Sequence, residues 1–150
     1  MTDRGFALRA ELAAPRALVV SEFQAGAPIQ RLLTGLARVA DRYVRRAAAQ
    51  TGVSRFATIV AVGGYGRAEL FPYSDIDLLV IPAQELTATQ SGQIESLVHA
   101  LWDMGLAIGH AVRTVEECGT EARSDPTVMT SMLESRLLAG PRATFGRLQS

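Results

Sequence analysis

Cysteine is almost missing from this chain: Cys118 is the single one in 150 residues. An internal disulfide is therefore impossible, and the composition fits a reducing compartment, the cytoplasm by default. Net charge is missing too. Lys+Arg and Asp+Glu both number 15, so no global field draws the chain to nucleic acid or to an anionic membrane, and neither partner is expected. No apolar run approaches the roughly 18 residues of a membrane span. The N-terminal stretch threads Asp3, Arg4, Arg9, Glu11 and Arg16 through its apolar residues. It lacks the basic start and clean apolar centre of a secretory signal. Internal repeats and low-complexity segments are absent as well. What is present is a length and a hydrophobic content of 48% that suit one ordinary globular domain with a sizeable core.

Residues 1–27 are Ala-rich and weakly periodic, which suggests a loose arm or a short helix ahead of a domain at 28–150. Pro28 suits the first position of a helix. Ile29, Leu32, Leu33, Leu36, Val39, Ala40, Tyr43 and Val44 follow at helical steps, and Gly52 can close it. Arg31, Arg38, Arg42, Arg45 and Arg46 lie largely off that stripe and read as a solvated face. "FATIVAV" and "DIDLLVI" read as strands joined by one or two helical turns in "YGRAEL". A helix with Ile94, Leu97, Val98, Leu101 and Trp102 inward follows, then a third strand in "AIGHAVRT".

Thr114 and Glu117 form a capping box for the next helix. Asp125 caps another, with Val128, Met129, Met132, Leu133, Leu137 and Leu138 inward and Gly140 as its stop. "PRATFGRLQS" begins a further helix that reads as cut short. The expected class is α+β: a small mixed sheet covered by helices.

The stretch "GGYGRAELFPYSDID", Gly63 to Asp77, concentrates the chemistry. Asp75 and Asp77 are two apart, so on a strand they share one face. Two carboxylates there repel unless a cation sits between them, and such oxygen sites suit Mg²⁺ with substrate phosphates. The bland alternative is a turn residue followed by an exposed strand charge. Gly63-Gly64 at a strand end allows a sharp turn and a close approach to backbone N–H groups. Arg67 can add a forked cation and Ser74 a hydroxyl. One ligand satisfies the whole set: a nucleoside triphosphate carried with Mg²⁺.

This segment resembles the signature of the nucleotidyltransferase superfamily that includes DNA polymerase β. Together with "LWDMGLAIGHAVRTVEEC" and "DPTVMTSMLESRLLAG" it is similar to the bacterial uridylyltransferases of the PII nitrogen-signalling protein. The resemblance spans roughly Val53 to Arg147. It implies transfer of UMP from UTP, with ATP as the alternative nucleotide, to a PII tyrosine, with release of pyrophosphate. It assigns triphosphate contacts to Gly63, Gly64 and Ser74, with Arg67 as helper, and the metal ions to Asp75 and Asp77.

The chain departs from that pattern twice. Ala68 stands where the family writes glycine, and the third strand carries no acid. His110 is then the residue expected to face the site as a base or substrate contact, against a buried, hydrogen-bonded histidine. Asp125 reads as a cap and Glu134 as a solvated helix residue. Family members are far longer, which makes this chain an expected N-terminal fragment or stand-alone relative. A small transferase with another substrate, or a nucleotide-binding module that does no chemistry, are the competing readings.

Overall fold

The computed structural model describes residues 3–150. These form seven α-helices and one four-stranded mixed sheet, the α+β class that the patterning implies. Helices α1 (Asp3–Gln24) and α2 (Ile29–Thr51) precede strand β1 (Ala57–Ala61), the single turn α3 (Gly63–Gly66) and strand β2 (Ile76–Pro82). Helix α4 (Ala88–Asp103), strand β3 (Ile108–Val112), helices α5 (Val115–Ser124) and α6 (Pro126–Leu133), strand β4 (Arg136–Ala139) and helix α7 (Arg142–Gln149) complete the order. The strands lie in the order β3-β2-β1-β4; β2 and β3 run parallel and the other two pairs antiparallel.

Strand parity sorts the two faces. Ile59, Ile76, Leu78 and Val80 join the larger core with the apolar stripes of α2 and α4. Val60, Leu79 and Ile81 point the other way and pack with Cys118, Val115, Met132, Phe145 and Leu148. Helix α2 buries the expected stripe apart from Ile29, and it stops at Gly52, whose φ of 79° is left-handed. Pro28 is the N-cap of α2 and not its first helical residue.

Two elements differ from the sequence reading. The N-terminal segment forms a helix of 22 residues rather than a short one. Pro15 inside it cannot donate to the carbonyl four residues back, that of Glu11. The hydroxyl of Tyr43 on α2 donates to that carbonyl at 2.8 Å, and Arg46 pairs with the Glu11 carboxylate at 2.7 Å. The helix is thus completed by its neighbour, which no local pattern in residues 1–27 could indicate.

The second difference is at α6, which ends at Leu133, leaving Met129 and Leu133 exposed. Residues 136–139 pair with β1 instead of continuing the helix. There Arg136 meets the buried Asp41 at 2.5 and 3.1 Å, and Leu138 enters the core. Sheet pairing and a buried ion pair outweigh a helical spacing that was present in sequence.

Candidate active site

The β1–α3–β2 unit builds the site. Apolar β1 is buried along its whole length and delivers Gly63 at its end, where φ is 62°. The N–H of Gly63 donates to Ser131 Oγ on α6 at 3.1 Å. As early residues of a helical turn, Gly64 and Tyr65 have no intrahelical acceptor for their own N–H groups. The turn is braced from behind. Arg136 Nη2 donates to the Tyr65 carbonyl at 3.0 Å, and its guanidinium lies 5.3 Å from the Tyr65 ring centre. Burial and the nearby Asp41 push the Tyr65 phenol far above its usual range, so it stays protonated and acts as a wall, not a base.

Asp75 and Asp77 are exposed at the start of β2, while Ile76, Leu78 and Val80 anchor it inward. The two carboxylates come close enough to interact. The Asp77 carboxyl is raised above the ordinary carboxylate value, first by desolvation and then by the charge of Asp75. Its oxygens lie between two glycines: a Cβ on Gly63 would be 3.5 Å from Oδ2, and one on Gly109 would be 2.8 Å from Oδ1. Two neighbouring hard oxygen donors, one of them disfavoured as an anion, form a donor set that suits Mg²⁺. Among the described residues no group of three acidic, His or Cys side chains is gathered for a metal.

An open cavity of about 470 Å³ is lined by Gly64, Arg67, Ser74, Asp75 and Asp77, together with Phe71 and Tyr73. A second of about 370 Å³ adjoins it through Arg67 and includes Gly63, Thr127, Ser131 and Glu134. The structure therefore brings Gly63, Gly64, Arg67, Ser74, Asp75 and Asp77 to one cleft. It does not bring His110. In the β2–β3 register Asp77 pairs with Gly109 and Leu78 with His110, so the histidine shares the opposite face and is exposed at the sheet edge. The alternation that put Ile108, His110 and Val112 together is present, but the register gives Asp77's side to Gly109.

Besides Arg136, three contributors escaped the sequence reading. Gly109 clears the space that Asp77 occupies. Ser131 caps the Gly63 amide. Glu134 is no solvated helix residue: its Oε2 lies 2.6 Å from Arg67 Nη1, and Glu69 takes Arg67 Nε at 3.3 Å. These pairs hold the Arg67 guanidinium charged. Asp125 caps α6 as expected, accepting from the Thr127 N–H at 2.8 Å. Ala68, where the resembled family writes glycine, has a left-handed φ of 57°.

No family model matches the chain. Among curated proteins it is 46% identical over 143 residues to a bifunctional uridylyltransferase/uridylyl-removing enzyme of Bordetella parapertussis, which covers 95% of this chain. Enzymes of the same name from Cupriavidus pinatubonensis and Ralstonia nicotianae are 41% and 42% identical, over 95% and 89% of the chain. The chain spans 16% of the length of these relatives. It is a homologue of one segment of bifunctional uridylyltransferase/uridylyl-removing enzymes, the family that its motif blocks resemble.

Proposed function

We propose that this chain is a nucleotidyltransferase unit that moves UMP from UTP to a tyrosine hydroxyl of the PII signalling protein and releases pyrophosphate. The observation that carries the reading is the single cleft in which a glycine turn, Arg67 and Ser74 face a carboxylate pair held by β2. The names of the relatives supply the uridylyl group; the pairing of an anion cradle with a dication site supplies the triphosphate.

Asp75 and Asp77 would hold Mg²⁺. Bound there, the ion supplies Lewis-acid stabilisation of the phosphoryl oxygens and of the departing pyrophosphate. The chain's own groups do the positioning. Gly64 lets the loop close on itself, since a Cβ there would be 3.3 Å from the Glu69 carbonyl and 3.6 Å from Arg67 Nη2, and a glycine leaves its backbone open to a phosphate. Arg67 lends a forked charge once it leaves Glu134. Ser74 offers a hydroxyl beside the pair. An acceptor tyrosine has a pKa of about 10, and no histidine of this chain stands on the Asp77 face at β3 to take its proton.

The test is incubation of the chain with labelled UTP or ATP, Mg²⁺ and purified PII protein. Labelled PII with wild type, and none with Asp75→Asn, is the expected result. Nucleotide binding without transfer to PII would mark either another acceptor or a binding module, and no nucleotide binding at all would end the reading.

A further inference from the structure

The geometry points to an aromatic seat for the nucleobase, formed by Phe71 and Tyr73 on the connection between α3 and β2. The inference rests on the nucleotide reading above and adds what holds the other end of the ligand.

Large aromatic rings normally bury most of their area. Here Tyr73 is 99% and Phe71 54% exposed on one short loop. The other tyrosines, Tyr43 and Tyr65, are buried. The loop is fastened, not slack. Arg16 Nη2 of α1 donates to the Pro72 carbonyl at 2.8 Å, and the Ser74 N–H donates to the Phe71 carbonyl at 3.1 Å. On either side the Leu70 N–H reaches Leu33 O at 3.3 Å and the Ile76 N–H reaches Ala107 O at 2.7 Å. Pro72 fixes the backbone between the two rings. The backbone that carries the rings therefore loses little freedom when something stacks on them.

Its position selects the occupant. Both rings line the cavity that contains Arg67, Ser74, Asp75 and Asp77. The adjoining cavity offers Thr127, Thr130, Ser131 and Glu134, and no aromatic ring. A nucleoside triphosphate carries one flat π-system, its base, and Phe71 and Tyr73 are the exposed aromatic rings that line the cleft. Stacking tolerates any base, because every base has a π-face. The seat therefore separates a nucleotide from a bare polyphosphate but does not separate uracil from adenine.

The experiment titrates UTP, ATP and inorganic tripolyphosphate, each with Mg²⁺, into wild type, Tyr73→Ala and Tyr73→Phe. Tyr73→Ala should lower affinity for both nucleotides about tenfold and leave tripolyphosphate unchanged, while Tyr73→Phe keeps wild-type values. Unchanged UTP affinity in Tyr73→Ala would overturn the seat alone. An equal loss for tripolyphosphate would also overturn it, by showing that Tyr73 acts through the loop and not on the base. Failure of wild type to bind either nucleotide would remove the nucleotide reading and the seat with it.

Discussion

Gly109 and Asp77 sit side by side on neighbouring parallel strands, and a methyl group on Gly109 would stand 2.8 Å from Asp77 Oδ1. That distance is far inside ordinary contact, so Gly109→Ala must push the carboxylate aside. Strand β3 is an edge strand and Gly109 is only half-buried, so the fold can absorb the substitution. The expected outcome is a loss of about tenfold in Mg²⁺ or Mn²⁺ affinity, a factor that corresponds to about 1.4 kcal/mol, with a far smaller change in unfolding free energy. Metal titration and urea unfolding of the same preparation check it. Wild-type metal affinity would show that Asp77 has a second usable position.

Asp77 also sets a pH dependence. Its folded carboxyl is raised above 3.8, so the native state holds that proton more tightly than the unfolded chain does. Ionisation therefore destabilises the fold as pH rises from the unfolded value through the folded one. Asp77→Asn removes the penalty. Without metal its Tm should exceed wild type at neutral pH, and the gain should vanish below about pH 4. Saturating Mg²⁺ should reverse the order. A Tm difference that is equal at pH 3 and pH 7 would show that charge is not its source.

His110 should be dispensable. It pairs in register with Leu78, on the face opposite Asp77, and is exposed. His110→Ala is expected to keep turnover within about twofold, far from the 10² to 10⁴ that general-base work supplies. A pH–rate profile is the informative readout. Loss of one limb of that profile in the variant would return the histidine to the chemistry.

The contrast between Asp77 and His110 shows where sequence is legible. Gly63, Gly64, Arg67, Ser74, Asp75 and Asp77 fall within fifteen consecutive residues, and the alternation of β2 is local, so their common cleft could be read directly. Register between strands is not local. Whether Gly109 or His110 shares the side of Asp77 depends on a one-residue choice made 32 positions away. Ser131, Glu134 and Arg136 escaped for the same reason: each acquires its role by meeting α3 or α2 across the fold. Strand β4 was hidden because "ESRLLAG" extends a valid helical spacing, which only the open edge of β1 overrides.

Ala68 carries a cost that sequence comparison alone would leave unexplained. At φ 57° an alanine crowds its own carbonyl, at about 1–2 kcal/mol. Glycine avoids that strain but loses more chain entropy on folding. Ala68→Gly should therefore stabilise by about 1 kcal/mol, or about 3 °C in Tm for a chain of this size. Thermal unfolding checks it, and a fall in Tm would mean that the Ala68 methyl makes packing contacts worth more than its strain.

Glu134 and Arg67 give the last prediction. In this structure Arg67 is held by Glu134 at 2.6 Å and by Glu69 at 3.3 Å, both pairs partly exposed. A triphosphate that recruits Arg67 must first draw it from Glu134. Such exposed pairs are weak, so removing the competing charge should tighten triphosphate binding by no more than about fivefold. Glu134→Gln keeps the shape and removes the charge. Mg²⁺–tripolyphosphate and Mg²⁺–UTP should gain equally, because the competition concerns phosphate and not base. The gain should shrink as salt rises and screens the pair. If Glu134 instead accepts a ribose hydroxyl from the adjoining cavity, the same variant binds UTP more weakly and leaves tripolyphosphate unweakened, and the direction of the UTP change decides between the two roles.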